Sequence, residues 1–254
     1  MVPTASPHIP SPVVSSSGPA EAPRGPQIPL VGLAHGSRKP ETAPAISCLL
    51  AAAGSRLGVP AVEAYLEDFA PPSLAEAVAG LGAPAAVVLP LLFTRAYHAR
   101  IDTPEAVQET RDATGAHLVT AEVLGLGEDV LAVVLAAMER DGIEPDRPVV
   151  LLAVGSSNPE ANEEVRAFAT RLQGRRDASV VVGFATSTQP RAGELLQDRA
   201  AEEPALVPLF VAPGLLLDQV AHQARGPGLP VAEPLGDLLA GVVADRYREA
   251  LGRG

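Results

Sequence analysis

Apolar residues along the chain come in short continuous runs, separated by longer stretches with helical spacing. Leu30-Val31-Gly32-Leu33-Ala34 is one such run, and others lie at Val62–Leu66, Ala85–Leu92, Leu118–Ala121, Val149–Ala153, Val180–Ala185 and Ala205–Val211. Short aliphatic runs without alternation read as strands of a parallel sheet covered on both faces. Between them the pattern predicts helices over Thr42–Leu57, Ser73–Leu81, from Thr103 onward, and over Glu128–Arg140, Pro159–Leu172 and Arg191–Ala201, with further helices near Leu215 and Leu235. Pro104 stands in the first helical turn, where its missing N–H costs nothing. Alternating strands and helices imply parallel sheets with right-handed crossovers.

The pattern runs through twice. Ala34-His35-Gly36-Ser37-Arg38-Lys39-Pro40-Glu41 aligns with Ala153-Val154-Gly155-Ser156-Ser157-Asn158-Pro159-Glu160 at an offset of 119, and Leu89-Pro90-Leu91 aligns with Val207-Pro208-Leu209 at 118. The expected fold is α/β: two flavodoxin-like parallel-sheet lobes related by internal duplication and facing a central cleft. Residues 29–142 form the first lobe and 146–254 the second. Residues 1–28, dense in Pro, Ser and Ala and without hydrophobic period, read as a disordered tail.

Composition narrows this picture. Hydrophobic residues make up 47% of the 254 positions but aromatics only 3%, so the core is built from Ala, Val and Leu. The net charge of -11 argues against nucleic acid as a main partner, because phosphate binding needs a basic surface. An anionic ligand would have to be held by local Arg or Lys residues. The single cysteine, Cys48, allows no intramolecular disulfide and no Cys-based zinc site; in Ile46-Ser47-Cys48-Leu49-Leu50 it is expected to be a buried small hydrophobe. No basic start followed by an apolar stretch marks a signal peptide, and no run of ~20 apolar residues marks a membrane span. The expected location is the cytoplasm, with no membrane partner.

A degenerate repeat is an internal experiment. Residues kept in both copies serve the fold, and polar residues present in one copy are candidates for chemistry. Gly36, Ser37 and Pro40 recur as Gly155, Ser156 and Pro159. By contrast His35 becomes Val154, Glu67 becomes Thr186, Arg38 becomes Ser157, and His98 falls at Leu216. His35 and Glu67 are predicted at the carboxyl ends of the first two strands, and His98 in the loop after the third. Ligands of open parallel sheets bind at that rim.

These segments resemble a known family. Leu33-Ala34-His35-Gly36-Ser37-Arg38 is similar to the opening motif of the sirohydrochlorin and cobalt chelatases. Leu89-Pro90-Leu91-Leu92 with Tyr97-His98-Ala99-Arg100-Ile101-Asp102-Thr103-Pro104 is similar to their second motif, and Tyr65-Leu66-Glu67 with Pro71-Pro72-Ser73-Leu74 to the intervening Glu segment. The resemblance covers about residues 30–225 and is to the long, duplicated form. The turn before the second histidine departs from it, reading Thr94-Arg95-Ala96-Tyr97 where the family carries a glycine.

The resemblance implies ATP-independent insertion of Fe²⁺ or Co²⁺ into sirohydrochlorin, in sirohaem or cobalamin biosynthesis. Ni²⁺ accepts similar ligands. The metal is then a substrate, the tetrapyrrole is the partner, and no permanently bound cofactor is expected. His35 and His98 would bind the ion or take the pyrrole protons, with Glu67 neutralising charge or relaying protons. Ser37, Arg38, Arg95 and Arg100 would hold substrate carboxylates. Asp102, before Thr103 and Pro104, is read as a helix cap. A monomer is expected, because both lobes lie in one chain; a homodimer is the alternative. The competing function is a non-catalytic tetrapyrrole or metal carrier. A histidine phosphatase would need an Arg where Ala34 stands, and a dinucleotide enzyme a G-x-G-x-x-G that is missing after the first strand.

Overall fold

The structure, a computed structural model, describes residues 27–67, 69–95, 101–186, 188–223 and 228–252. The first half runs β1 (Leu30–Ala34), α1 (Thr42–Leu57), β2 (Ala61–Tyr65), α2 (Leu74–Leu81), β3 (Ala85–Pro90), α3 (Thr103–Thr114), β4 (His117–Thr120) and α4 (Glu128–Arg140). The second runs β5 (Val149–Ala153), α5 (Pro159–Gln173), β6 (Val180–Phe184), α6 (Ala192–Asp198), β7 (Ala205–Pro208), α7 (Leu215–Gln223) and α8 (Ala240–Gly252), with 3-10 turns at Ala200–Glu202 and Gly236–Leu239. All strand pairs are parallel, in the orders β2-β1-β3-β4 and β6-β5-β7.

The duplication is spatial as well as sequential. Leu33 pairs with Pro90 as Leu152 pairs with Pro208, and Ala34 with Tyr65 as Ala153 with Phe184. Pro90 and Pro208 lack an N–H to extend a ladder, so β3 and β7 end on them, two and three residues short of the apolar runs. The copies part at the fourth strand. Where β4 completes the first sheet, the second has one parallel bridge between Leu206 and Val231. Pro230 and Pro234 flank that bridge and have no N–H to donate.

Side-chain alternation along the strands sorts the interior into three layers. Val31, Leu33 and Val88 turn outward under α2 and α3, beside Leu74, Val78 and Val107. Val150, Leu152 and Leu206 do the same in the second sheet, under α6 and α7. Leu30, Val87 and Leu89 turn inward and join Val149, Leu151 and Val207 in one continuous core with residues of α1, α4, α5 and α8. The sheets are therefore joined by packed helices in one core. The last helix crosses back, since α8 packs against α1, β3 and β4.

Two local expectations change. Cys48 is exposed: Ile46, Leu49, Leu50 and Ala53 occupy the buried face of α1 at helical spacing, and position 48 turns away from it. Ile28, placed in the tail, packs against the core, and its carbonyl accepts the Tyr247 hydroxyl at 2.6 Å. The rest of that tail, 1–26, lies outside the described residues.

Candidate functional site

The first lobe's rim is assembled by extending the β1–β2 ladder past its last strand residues. The Leu66 N–H donates to Ala34 O at 3.0 Å, and the Glu67 N–H to His35 O at 3.1 Å. The second copy repeats both bonds, from Ala185 to Ala153 and from Thr186 to Val154. The scaffold is thus common and the side chains are not. Only in the first copy does it place an imidazole beside a carboxylate, with His35 Nε2 at 3.4 Å from Glu67 Oε1, both partly exposed.

That separation suits a shared ion. Two donors with bonds of ~2.1 Å at a tetrahedral angle stand about 3.4 Å apart. Among the described residues no group of three or more His, Cys, Asp or Glu is close enough to hold a metal. The pair supplies two donors, and His98, expected as a third, lies outside the described residues, as does Arg100.

The other expected residues divide. Ser37 Oγ accepts the Lys39 N–H at 3.1 Å, and Ser156 Oγ accepts the Asn158 N–H at 3.0 Å. The shared serine therefore closes a turn in both copies. Arg38 is exposed, its guanidinium 4.7 Å from the centroid of the Phe69 ring, beside the Glu67 loop. Arg95 is paired with Glu122. It lines a cavity of about 340 Å³ with Phe93, Glu122, Glu164, Arg246 and Glu249. Arg246 is committed to Val123 O, Leu124 O and Asp129, so carboxylates dominate this cavity. The volume lies at the low end for drug-sized ligands, enough for the edge of a macrocycle. Asp102 precedes α3 with helical backbone angles and makes no side-chain cap.

Sequence reasoning missed three features of this rim. Lys39 Nζ reaches both carboxylate oxygens of Asp218 on α7, at 2.6 Å each, and the Thr42 hydroxyl donates to Pro213 O at 2.7 Å. The repeat held the signal: Lys39 stands against Asn158 and Thr42 against Ala161. Phe69, which contacts Arg38, had no sequence signal. Four of the five exposed large hydrophobics among the described residues, Phe69, Ile101, Val154 and Leu215, sit on loops or helix starts following strand carboxyl ends.

These observations define a duplicated α/β protein whose first copy has a His35–Glu67 pair where the second has Val154 and Thr186. A family model described as CbiX matches residues 29–141 and again 148–250, and the chain belongs to that family. It is 24% identical over 200 residues to the sirohydrochlorin ferrochelatase of Bacillus subtilis (strain 168), covering 75% of this chain and 77% of that protein. It is 23% identical over 177 residues to a sirohydrochlorin cobaltochelatase of Priestia megaterium, covering 65% and 58%. The solved structure of SirB from Bacillus subtilis with Fe³⁺ superposes with a TM-score of 0.72 at 23% identity, covering 88% of this chain and 95% of that one.

Proposed function

We propose that the chain is a sirohydrochlorin chelatase, a lyase that inserts a divalent metal ion into the tetrapyrrole without ATP. The observation that carries this is the His35–Glu67 pair at the strand ends of a CbiX-family lobe. Fe²⁺ and Co²⁺ are the metals named by its relatives' activities, and imidazole suits both. Two donors hold an ion loosely, leaving coordination positions for ring nitrogens. Insertion exchanges M²⁺ for two pyrrole protons, and the imidazole and carboxylate are the nearby bases. His98 is assigned to the same pair.

Apolar rim residues support a macrocycle as the ligand. Isolated exposed hydrophobics are ordinary, but four that follow strand carboxyl ends would suit the apolar face of a ring. Arg38, Arg95, Arg100 and Ser37 are assigned to the ring's carboxylates, although Ser37 also closes its turn and Arg95 must exchange Glu122 for substrate. We take 29–142 and 146–254 as the two copies, the site belonging to the first. We assign the reaction to the cytoplasm and to a monomer, with a homodimer as the alternative; the exposed free thiol of Cys48 supports a reducing compartment. No helix of the described residues is long and apolar enough to cross a membrane.

The test is spectrophotometric. Purified protein is mixed with sirohydrochlorin and Fe²⁺, Co²⁺ or Ni²⁺ in turn, and loss of the free-base absorption is followed. Catalytic turnover with at least one ion is expected. Stoichiometric binding of the tetrapyrrole without turnover would make the protein a carrier instead.

A further inference from the structure

The segment between β1 and α1, residues 35–41, is held from both sides. On the β2 side, His35 O accepts the Glu67 N–H. On the α1 side it is held by the second lobe: Lys39 Nζ lies 2.6 Å from both Asp218 oxygens, and Thr42 Oγ1 donates to Pro213 O. Lys39 is the more buried partner, at 19% side-chain exposure, against 49% for Asp218. The Lys39 ammonium meets the carboxylate with both oxygens in range, and Thr42, itself buried, fixes the adjacent point.

The position of these contacts in the repeat is informative. Residues 213–218 follow β7 as residues 95–100 follow β3, so the tether comes from the second copy's counterpart of the His98 loop. That counterpart has no histidine. Its first helical turn instead carries Asp218, docked against the His35 loop, and Leu215, the most exposed large hydrophobic among the described residues at 56%.

We propose that Asp218, in the second lobe, is a positioning residue for metal insertion: through Lys39 it fixes the loop that carries His35. This rests on the assignment of His35 above. Three residues separate Lys39 from His35, and Ser37 Oγ, one of them, accepts the Lys39 N–H, so release of Lys39 loosens the loop where the imidazole is aimed. A shift of about 1 Å at a reacting group costs on the order of 100-fold in rate; loss of one of several tethers is expected to cost less.

The experiment measures kcat and KM for sirohydrochlorin, and the thermal midpoint, in Asp218→Asn, Lys39→Gln, the double variant Lys39→Gln/Asp218→Asn, Lys39→Arg and His35→Ala. Expected are a roughly tenfold lower kcat in Asp218→Asn with KM within about twofold. The double variant should lose no more than either single one, because the pair acts as a unit. Lys39→Arg should keep most of the rate. Wild-type kcat in Asp218→Asn with His35→Ala inactive overturns the positioning role and leaves the site standing. A raised KM at unchanged kcat also overturns it, as does a rate loss that merely follows a fall in the thermal midpoint. Activity retained in His35→Ala sinks the site assignment and this inference with it.

Discussion

The imidazole of His35 and the carboxylate of Glu67 meet at 3.4 Å because the residue between β1 and its turn has no side chain. Gly36 adopts φ 108, and a Cβ there would come within 3.2 Å of Glu67 Cβ and 3.0 Å of Ala70 Cβ. Gly155, its copy, has φ 89 and would meet Thr186 O at 2.3 Å. Glycine thus serves two needs at once, a left-handed backbone and close approach of the neighbouring loop. Gly36→Ala is expected to destabilise the fold by about 1–2 kcal/mol and to lower insertion activity by separating the pair. Urea unfolding and the insertion assay check the two effects.

His35→Ala removes a donor that no other described side chain replaces at that strand end. Activity is expected to fall at least 100-fold while the unfolding midpoint stays near wild type, because the ring is partly exposed. Glu67→Gln keeps the shape and removes the charge, and a 10- to 100-fold loss is expected, the range seen when partners of metal-binding histidines are removed. Near-wild-type turnover in both variants would place the chemistry elsewhere.

Ser37 and Ser156 make the same hydrogen bond in the two copies, which turns a functional assignment into a measurable one. If each only closes its turn, Ser37→Ala and Ser156→Ala will each cost about 1 kcal/mol. Substrate affinity will then be unchanged in both. A KM rise confined to Ser37→Ala would show that the hydroxyl also meets the tetrapyrrole.

Much of the fold was legible because strand runs and helix periods are local patterns. The repeat added what periodicity lacks, locating His35 and Glu67 on equivalent scaffold positions where Val154 and Thr186 stand in the second copy. Cys48 was misread because its neighbours are apolar, yet a helix buries by angle and not by adjacency. The second copy's short sheet was legible too: no apolar run marks a strand near Val231, where the structure has one bridge flanked by prolines. The Lys39–Asp218 contact joins residues 179 apart and depends on how the lobes dock, which no local pattern encodes.

Tyr65 and Phe184 occupy equivalent places beside Ala34 and Ala153. Phe184 is fully buried without a polar atom, whereas the buried Tyr65 hydroxyl has no hydrogen-bond partner among the described residues. Burial, and next the nearby Glu63 carboxylate, push its pKa up to about 12. An unsatisfied buried hydroxyl costs free energy that phenylalanine avoids. Tyr65→Phe is expected to raise stability by about 1 kcal/mol, seen as a higher urea midpoint at unchanged slope. A lower midpoint would mean that the hydroxyl is in fact satisfied.

Asp141, just after α4, ties the linker between the copies to the segment before α8. Its Oδ1 and Oδ2 accept Arg140 Nε and Nη2 at 2.7 Å each, and Oδ2 also accepts the Glu233 N–H at 2.9 Å. Arg140 in turn donates to Glu233 O at 3.1 Å. The Arg140 hydrogen bonds, helped by the Glu233 amide, hold the Asp141 carboxyl below the usual carboxylate range. A group whose pKa is lower folded than unfolded stabilises the fold above its unfolded value, about 3.9, and loses that contribution as pH falls through the folded value. Asp141→Asn is therefore expected to be about 1–2 kcal/mol less stable than wild type at pH 7. The gap should be nearly the same at pH 5 and narrow only below about pH 4, as the wild-type carboxyl takes up its proton. Urea unfolding at pH 7, 5 and 3.5 measures it. A gap that already closes between pH 7 and 5 would contradict the lowered pKa, and the absence of any gap at pH 7 would mean that this junction does not contribute to joining the lobes.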